Sequence, residues 1–157
     1  MVGQTQGLAL PGLAAGAALA RMSGSGATCF ALYSDSGERD AAAAAVKSAG
    51  AVVIGEGAPR LPNTLFLAVE GWDSPQQLIT LDLTGVMVSA GSACSSGKVK
   101  PSKTISAMGL NTLATGGVRV SGGWSTVEGD WIRFADAWSS AYIKHRTRQA
   151  ERVKELA

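Results

Sequence analysis

Cysteine, histidine and excess charge are all scarce in this sequence. The 157 residues include two cysteines, one histidine and a formal net charge of only +2. Two thiols do not make a secreted disulfide scaffold, so we expect free thiols and a cytoplasmic location. One histidine and two cysteines do not supply the four ligands of a zinc site, and no other metal is predicted. The small net charge gives no support for nucleic acid as a partner.

Long apolar runs are missing as well. The longest weakly polar run, residues 8–20, is too short to span a bilayer, and no positively charged segment precedes it as in a signal peptide. No membrane partner is therefore predicted. Hydrophobic residues make up 46% of the chain, which is typical of a globular domain with its own core.

Helix-type and strand-type segments alternate along the chain. Helices are predicted at residues 11–22, 37–50, 74–83 and 101–108, and from a capping box at residues 125–128 onward. Strands are predicted at residues 29–33, 51–54, 62–69, 86–89 and 117–121. This order predicts the α/β or α+β class, with a short mixed sheet and helices packed on it.

The last predicted helix carries an aromatic stripe. Trp131, Phe134, Trp138 and Tyr142 recur at three- and four-residue steps, which places them on one face of a helix. We predict that this stripe belongs to the core rather than to a cofactor site. His145, further along the same helix among basic residues, is predicted to lie on the surface.

A hydrophobic segment runs into a loop of very small residues that carries one thiol. Residues 86–98 read VMVSAGSACSSGK, with Cys94 in the loop. Because the loop has no large side chain to hold it on a core, we expect Cys94 to be mobile and accessible, as a reactive thiol must be. Lysines follow closely downstream, and a nearby positive charge favours the thiolate. The alternative role, a cysteine as a small apolar filler, fits Cys29 better.

Two other interpretations of this loop fail on its residues. A phosphate-binding loop needs four residues between its glycines and a Ser or Thr after the lysine, but Gly91 and Gly97 are too far apart and Val99 follows Lys98. A cysteine protease needs a histidine base, and the one histidine is far along the chain.

Arg119 is the second candidate for function. It lies in a short apolar strand, residues 118–121, with glycines before and after it. A guanidinium can bind a carboxylate in a bidentate fashion and stays charged when partly buried. It can equally be a solvent-facing residue of an edge strand, and the residues alone do not decide between the two.

Five short segments resemble, in order and spacing, the C-terminal part of a cysteine desulfurase. They are residues 61–64 (LPNT), 88–96 (VSAGSACSS), 101–102 (PS), 107–110 (AMGL) and 118–121 (VRVS). Cysteine desulfurases of the NifS/IscS type are pyridoxal-phosphate enzymes of the class-V aminotransferase superfamily. The resemblance covers about residues 49–142 and implies the small domain of a fold-type I pyridoxal-phosphate enzyme.

The resemblance also implies roles for individual residues. Cys94 matches the nucleophile that takes sulfur from L-cysteine as a persulfide, for iron–sulfur cluster or thio-cofactor assembly. Arg119 matches the residue that holds the substrate carboxylate. The implied cofactor is pyridoxal phosphate, and the implied partners are a sulfur-acceptor protein and a second copy of the chain. The active-site loop around the nucleophile includes Gly91, Ser92, Ala93 and Ser95.

The family's large domain, with a Schiff-base lysine directly after a histidine, has no counterpart in this sequence. None of the six lysines follows a histidine. They are Lys47, Lys98, Lys100, Lys103, Lys144 and Lys154. We expect residues 1–26 to be a Gly/Ala-rich remnant of the junction with that domain, and residues 27–157 to be the small domain.

The resulting expectation is a desulfurase-type domain that needs a large domain carrying the cofactor. Three alternatives stay open. The chain can be a non-catalytic sulfur carrier or interaction module, an inactive truncated product, or part of another class-V member such as a selenocysteine lyase.

Overall fold

The computed structural model describes residues 17–23, 28–33, 37–90, 100–123 and 125–156. Five strands and four α-helices lie in these ranges, with one 3₁₀ turn before the last strand. In chain order they are β1 Ala17–Ser23, β2 Thr28–Tyr33, α1 Gly37–Ser48, β3 Val52–Val53, β4 Thr64–Ala68, α2 Ser74–Asp82, α3 Lys103–Ala107, the 3₁₀ turn Asn111–Leu113, β5 Val118–Ser121 and α4 Glu128–Glu155.

The strands form two separate sheets. Strands β1 and β2 pair antiparallel with each other, and β3, β4 and β5 form a three-stranded sheet in that order. The predicted class, helices packed on a short sheet, is confirmed. The sheet was predicted to be mixed, but both pairs of the three-stranded sheet are antiparallel.

The helix predicted at residues 11–22 is wrong from residue 17 onward, because residues 17–23 form β1. Alanine has a high helix propensity, but any propensity is a small local preference, and pairing with a neighbouring strand overrides it. Here β1 pairs with β2, from Ala17 opposite Tyr33 to Ser23 opposite Thr28. The predicted boundary between residues 26 and 27 lies outside the described residues and stays a prediction.

The three-stranded sheet buries its two faces differently. Leu65 and Leu67 of β4 and Val118 of β5 are almost completely buried in the main core. Helices α1, α2 and α4 cover this face. On the opposite face a smaller cluster forms around Ile105 of α3, with Phe66 packed against it.

Helix α4 supplies the predicted aromatic stripe, and all four of its side chains are buried. Trp138 and Tyr142 pack against Trp72, with ring centroids 5.9 and 5.8 Å away. His145 was predicted to lie on the surface, but its ring stacks on Trp72 at 5.3 Å and is half-buried. The stripe therefore extends one helical step beyond the residues that hydrophobicity alone indicated.

Two helix starts differ from the predicted ones. The sequence predicts Ser74 as the N-cap of α2 with Pro75 as the first helical residue, but Asp73 is the N-cap. The Ser74 hydroxyl instead donates to the carbonyl of Thr115 at 2.5 Å. Helix α4 was predicted to start with a box at residues 125–128, but it begins at Glu128.

The start of α4 is held by a single side chain. The carboxylate of Asp130 accepts a hydrogen bond from the backbone N–H of Val127 at 3.1 Å. The N-cap Val127 has no acceptor on its side chain, so the reciprocal half of a capping box cannot form. Thr126 accepts from the N–H of Gly123 at 2.8 Å, which closes a turn ahead of the helix.

None of the helices in the described ranges combines the length and the apolar character that crossing a membrane requires.

Candidate functional site

Arg119 is the second residue of β5 and lies on the less covered face of the sheet. Burial alternates along the strand, with Val118 and Val120 buried and Arg119 and Ser121 exposed. Arg119 lies opposite Phe66 of β4, so the two side chains share one face. The guanidinium makes no hydrogen bond or ion pair with the part of the chain that the structure describes.

A third backbone segment runs beside Arg119 on the side away from β4. Ser89 donates its N–H to the carbonyl of Arg119 at 3.0 Å, and Arg119 donates its own N–H to the carbonyl of Ser89 at 2.7 Å. The predicted strand at residues 86–89 is wrong in extent, because Ser89 alone pairs with β5. The amide of Val86 is bonded to the carbonyl of Leu81, at the end of α2, and is not free for a sheet.

The predicted nucleophile Cys94 lies outside the described residues, together with the rest of residues 91–99. The predicted loop residues Gly91, Ser92, Ala93 and Ser95 lie there too. Both neighbouring segments are described: Ser89 is bonded to Arg119, and Ser102 donates its N–H to the carbonyl of Ala114 at 2.8 Å. The roles of Cys94 and of the loop stay predictions.

Hydroxyl groups continue the exposed face beyond Arg119. Thr64 and Ser121 form the next pair of the β4–β5 ladder on this face, two positions beyond Phe66 and Arg119, and their hydroxyl oxygens lie 3.3 Å apart. At the end of the ladder, the side-chain amide of Asn63 donates to the carbonyl of Gly122 at 2.8 Å. The part of the face from Arg119 towards Ser121 is therefore polar, while the opposite face of the sheet is apolar.

The described lysines do not fit pyridoxal phosphate. A lysine that forms a Schiff base with this cofactor must lie in a pocket that holds the cofactor ring and lowers the pKa of the lysine amine. All five described lysines are exposed. Lys47 lines a cavity of about 540 Å³ between α1 and the β3–β4 connection, but its ammonium pairs with Glu56 at 2.5 Å. No step of a reaction is assigned to the cofactor on these residues.

Within the described ranges no three His, Cys, Asp or Glu side chains come together in a group that could hold a metal ion.

Sequence reasoning missed the residues that hold the segment directly before β5. Gln77 of α2 is completely buried, and its side chain reaches the carbonyl of Gly116, just ahead of β5. Gly116 and Gly117 are packed so closely that neither has space for a side chain. Two adjacent glycines before a strand signal such a close approach, and a Gln one helical turn before Leu81 signals a buried polar group.

The fold is that of NifS-like proteins. The structure of a NifS-like protein from Rickettsia africae superposes with a TM-score of 0.56, at 22% sequence identity, over 67% of this chain and 27% of that chain. At this identity the likeness shows the fold alone.

About half of the chain is similar in sequence to cysteine desulfurases. A cysteine desulfurase of Klebsiella pneumoniae is 41% identical over 71 residues, which are 45% of this chain and 18% of the relative. The cysteine desulfurase IscS of Dictyoglomus turgidum is 39% identical over 89 residues, 56% of this chain and 23% of the relative. The predicted resemblance of this part of the chain to the C-terminal portion of a cysteine desulfurase is confirmed. The chain spans about a fifth of the length of these relatives.

The N-terminal quarter matches a different family model. Residues 12–52 match the model described as "GHMP kinases C terminal". This range contains β1, β2, α1 and the first residue of β3. It includes neither Arg119 nor Ser89, so it does not bear on the candidate site.

Proposed function

We propose that the chain is the sulfur-accepting part of a cysteine desulfurase, in which Cys94 receives the sulfur of L-cysteine as a persulfide and Arg119 holds the substrate carboxylate. The observation that carries the proposal is the two-way hydrogen bonding between Ser89 and Arg119. It ties the segment that leads to Cys94 directly to the arginine.

Chain connectivity keeps the thiol in the neighbourhood of the arginine. Cys94 follows Ser89 by five residues. Five fully extended residues span at most about 18 Å. The Cα atoms of a pair that exchanges both hydrogen bonds, such as Ser89 and Arg119, lie about 5.5 Å apart. A loop of glycine, serine and alanine supports movement between a substrate bound at Arg119 and an acceptor.

The chemistry suits the two groups. A guanidinium with free donors binds a carboxylate through two parallel hydrogen bonds. In the overall reaction the carbon–sulfur bond of L-cysteine breaks and a sulfur–sulfur bond forms on Cys94. The β-carbon is reduced to the methyl group of L-alanine and takes up one proton. The two sulfur atoms are oxidised to the persulfide level.

The proposal also names the partners. Since the described lysines do not fit pyridoxal phosphate, the cofactor would come from a large domain that associates with this one. The substrate is L-cysteine, and a sulfur-acceptor protein would take the persulfide sulfur onward. We place the protein in the cytoplasm.

The test uses the full chain and a cysteine desulfurase relative whose own loop cysteine is replaced by alanine. That relative loads cofactor and substrate but has no sulfur acceptor of its own. With L-cysteine added, we expect the peptide that contains Cys94 to gain the mass of one sulfur atom, and L-alanine to form in equal amount.

Two controls lie in the chain itself. Cys29 reports non-specific sulfur transfer in the same molecule, and the Cys94→Ser variant should abolish both the added mass and the L-alanine. Absence of added sulfur on Cys94, or equal labelling of Cys29, would overturn the proposal. If Cys94 gains sulfur only when the relative keeps its own loop cysteine, the proposed function is wrong and the chain is a sulfur carrier.

A further inference from the structure

One short segment ties together both ends of the loop that contains Cys94. We call residues 114–119 the anchor segment. At its C-terminal end Arg119 exchanges hydrogen bonds with Ser89, just before the loop. At its N-terminal end the carbonyl of Ala114 accepts from the N–H of Ser102, just after the loop, at 2.8 Å. The position of this segment therefore sets the position of both loop ends.

Helix α2 holds the anchor segment at its middle. The carbonyl of Thr115 accepts from the N–H of Ser74 at 2.8 Å and from its hydroxyl at 2.5 Å. The carbonyl of Gly116 accepts from the side-chain Nε2 of Gln77 at 2.9 Å. With Ala114, three consecutive carbonyls of the segment are bound by groups from other elements.

The amide of Gln77 has only one possible orientation. Its Nε2 also donates to the carbonyl of Trp72 at 2.8 Å, and its Oε1 accepts from the indole N–H of Trp138 at 2.9 Å. Two acceptors on one side and one donor on the other fix which end is nitrogen. A completely buried amide with all its partners is rigid, because any other position leaves a polar group unpaired.

The anchor segment also lies close against its neighbours, with no space for a side chain at either glycine. A side-chain Cβ on Gly116 would lie 1.9 Å from the carbonyl oxygen of Val69, and one on Gly117 would lie 2.7 Å from Cδ1 of Ile105. The hydrogen bonds from α2 therefore act on a segment that is closely packed at both glycines.

We infer that Gln77 is a positioning residue for the sulfur-transfer site, because its amide fixes the anchor segment and, through it, Arg119 and both ends of the Cys94 loop. The inference rests on the proposed function for what the site does. The mechanical coupling between Gln77 and the two loop ends is independent of that function.

Backbone hydrogen exchange of the full chain, measured by NMR, tests the coupling. The variant is Gln77→Leu, and the matched control is Leu81→Ala, which changes an equally buried residue of the same helix that makes no bond to the anchor segment. We expect the amides of Ser89, Ser102 and Arg119 to exchange up to about tenfold faster in Gln77→Leu than in the control at equal global stability.

The conservative variant Gln77→Glu gives a readout that lost stability alone would not produce. A neutral carboxyl can still donate to Gly116 and accept from Trp138, whereas a carboxylate cannot donate. The protection of the Arg119 amide, corrected for intrinsic exchange and taken relative to that of the amides of α4, should therefore recover as the pH falls. Equal acceleration of all amides in Gln77→Leu and Leu81→Ala, with no pH-dependent recovery in Gln77→Glu, would overturn the inference.

This experiment and the sulfur-transfer test fail independently. If exchange changes as expected but Cys94 gains no sulfur, the proposed function is wrong and the coupling stands. If Cys94 gains sulfur at the same rate in Gln77→Leu and in the unaltered chain, with unchanged exchange at the loop ends, Gln77 has no positioning role.

Discussion

Two neighbouring residues of β5 belong to two different parts of the molecule. Val118 is completely buried under α1, α2 and α4, and Arg119, the next residue, is exposed on the opposite face. Successive side chains of a strand point to opposite faces, so one strand can serve both. Strand β5 therefore packs into the main core through one face and exposes Arg119, its candidate ligand-binding residue, on the other.

The two faces also differ in what covers them. The main core fills one face with aliphatic and aromatic side chains from three helices. The other face is covered in part by α3 and the 3₁₀ turn, through Ile105 and Leu113, and Arg119 is exposed on it. This division predicts that substitutions on the main-core face change mainly stability, and that substitution of Arg119 changes mainly ligand binding.

The largest expected effect on stability is that of Trp138→Ala on the covered face. The side chain is completely buried and packs on Trp72 and Tyr142. Its loss leaves a cavity and removes the hydrogen-bond donor to Gln77, so we expect a loss of about 3–5 kcal/mol in the free energy of unfolding. Denaturant titration followed by circular dichroism measures it.

The control for this prediction is Ile132→Ala, which truncates an exposed residue of the same helix, with 52% of its surface accessible. It should change the free energy of unfolding by no more than about 0.5–1 kcal/mol. Similar losses for both variants would show that α4 is not the cover of the main core.

An intermediate effect is expected for Phe66→Ala on the second face. Phe66 is half-buried, and its ring packs against the small cluster around Ile105. We expect the free energy of unfolding to fall by ~1.5–2.5 kcal/mol in the same titration, half the loss for a fully buried phenylalanine. The conservative variant Phe66→Leu should keep most of the stability. A loss as large as that of Trp138→Ala would mean that the second face is a full core and that the comparison is wrong.

The sequence was informative where the pattern is local and repeated. The stripe of Trp131, Phe134, Trp138 and Tyr142 predicted the buried face of α4 because helical spacing depends only on the helix itself. The burial of Val118 and Val120 on either side of the exposed Arg119 likewise follows the two-residue period of a strand. In both cases neighbours along the chain carry the information.

The errors arose where distant segments decide the local structure. Residues 17–23 have alanines that favour a helix, yet they pair with β2. Ser74 has the side chain of an N-cap, yet its hydroxyl bonds the distant carbonyl of Thr115, and Asp73 becomes the cap. A propensity that is calculated over one helical turn includes neither Thr115 nor β2.

The candidate site was predictable in part for the same reason. From the residues alone Arg119 was undecided between a ligand contact and a solvent-facing residue, and the carboxylate-binding role that the family resemblance implies stays a prediction. The pairing with Ser89 and the hold of Gln77 on Gly116 join segments about 30 and 39 residues apart. Contacts of that kind need the fold, because no local pattern in either segment names the other.

The smallest expected effect on stability, with the sharpest effect on binding, is that of Arg119→Gln. The guanidinium has no partner among the residues described, so its loss should change the free energy of unfolding by less than about 0.5 kcal/mol. The side-chain Nε–H signal of Arg119, followed by NMR, should shift when L-alanine or L-cysteine is added to the unaltered chain. Ethylamine, which lacks the carboxylate, should leave it unchanged.

The control variants separate charge from geometry at this position. Arg119→Lys keeps the positive charge but loses the planar fork that binds both carboxylate oxygens, so it should bind L-alanine more weakly than the unaltered chain. Lys103→Gln removes an exposed cation elsewhere and should leave binding unchanged. If Arg119→Gln instead costs as much stability as Phe66→Ala, the arginine is part of the packing of its face. Another residue would then have to supply the carboxylate-binding group on this face.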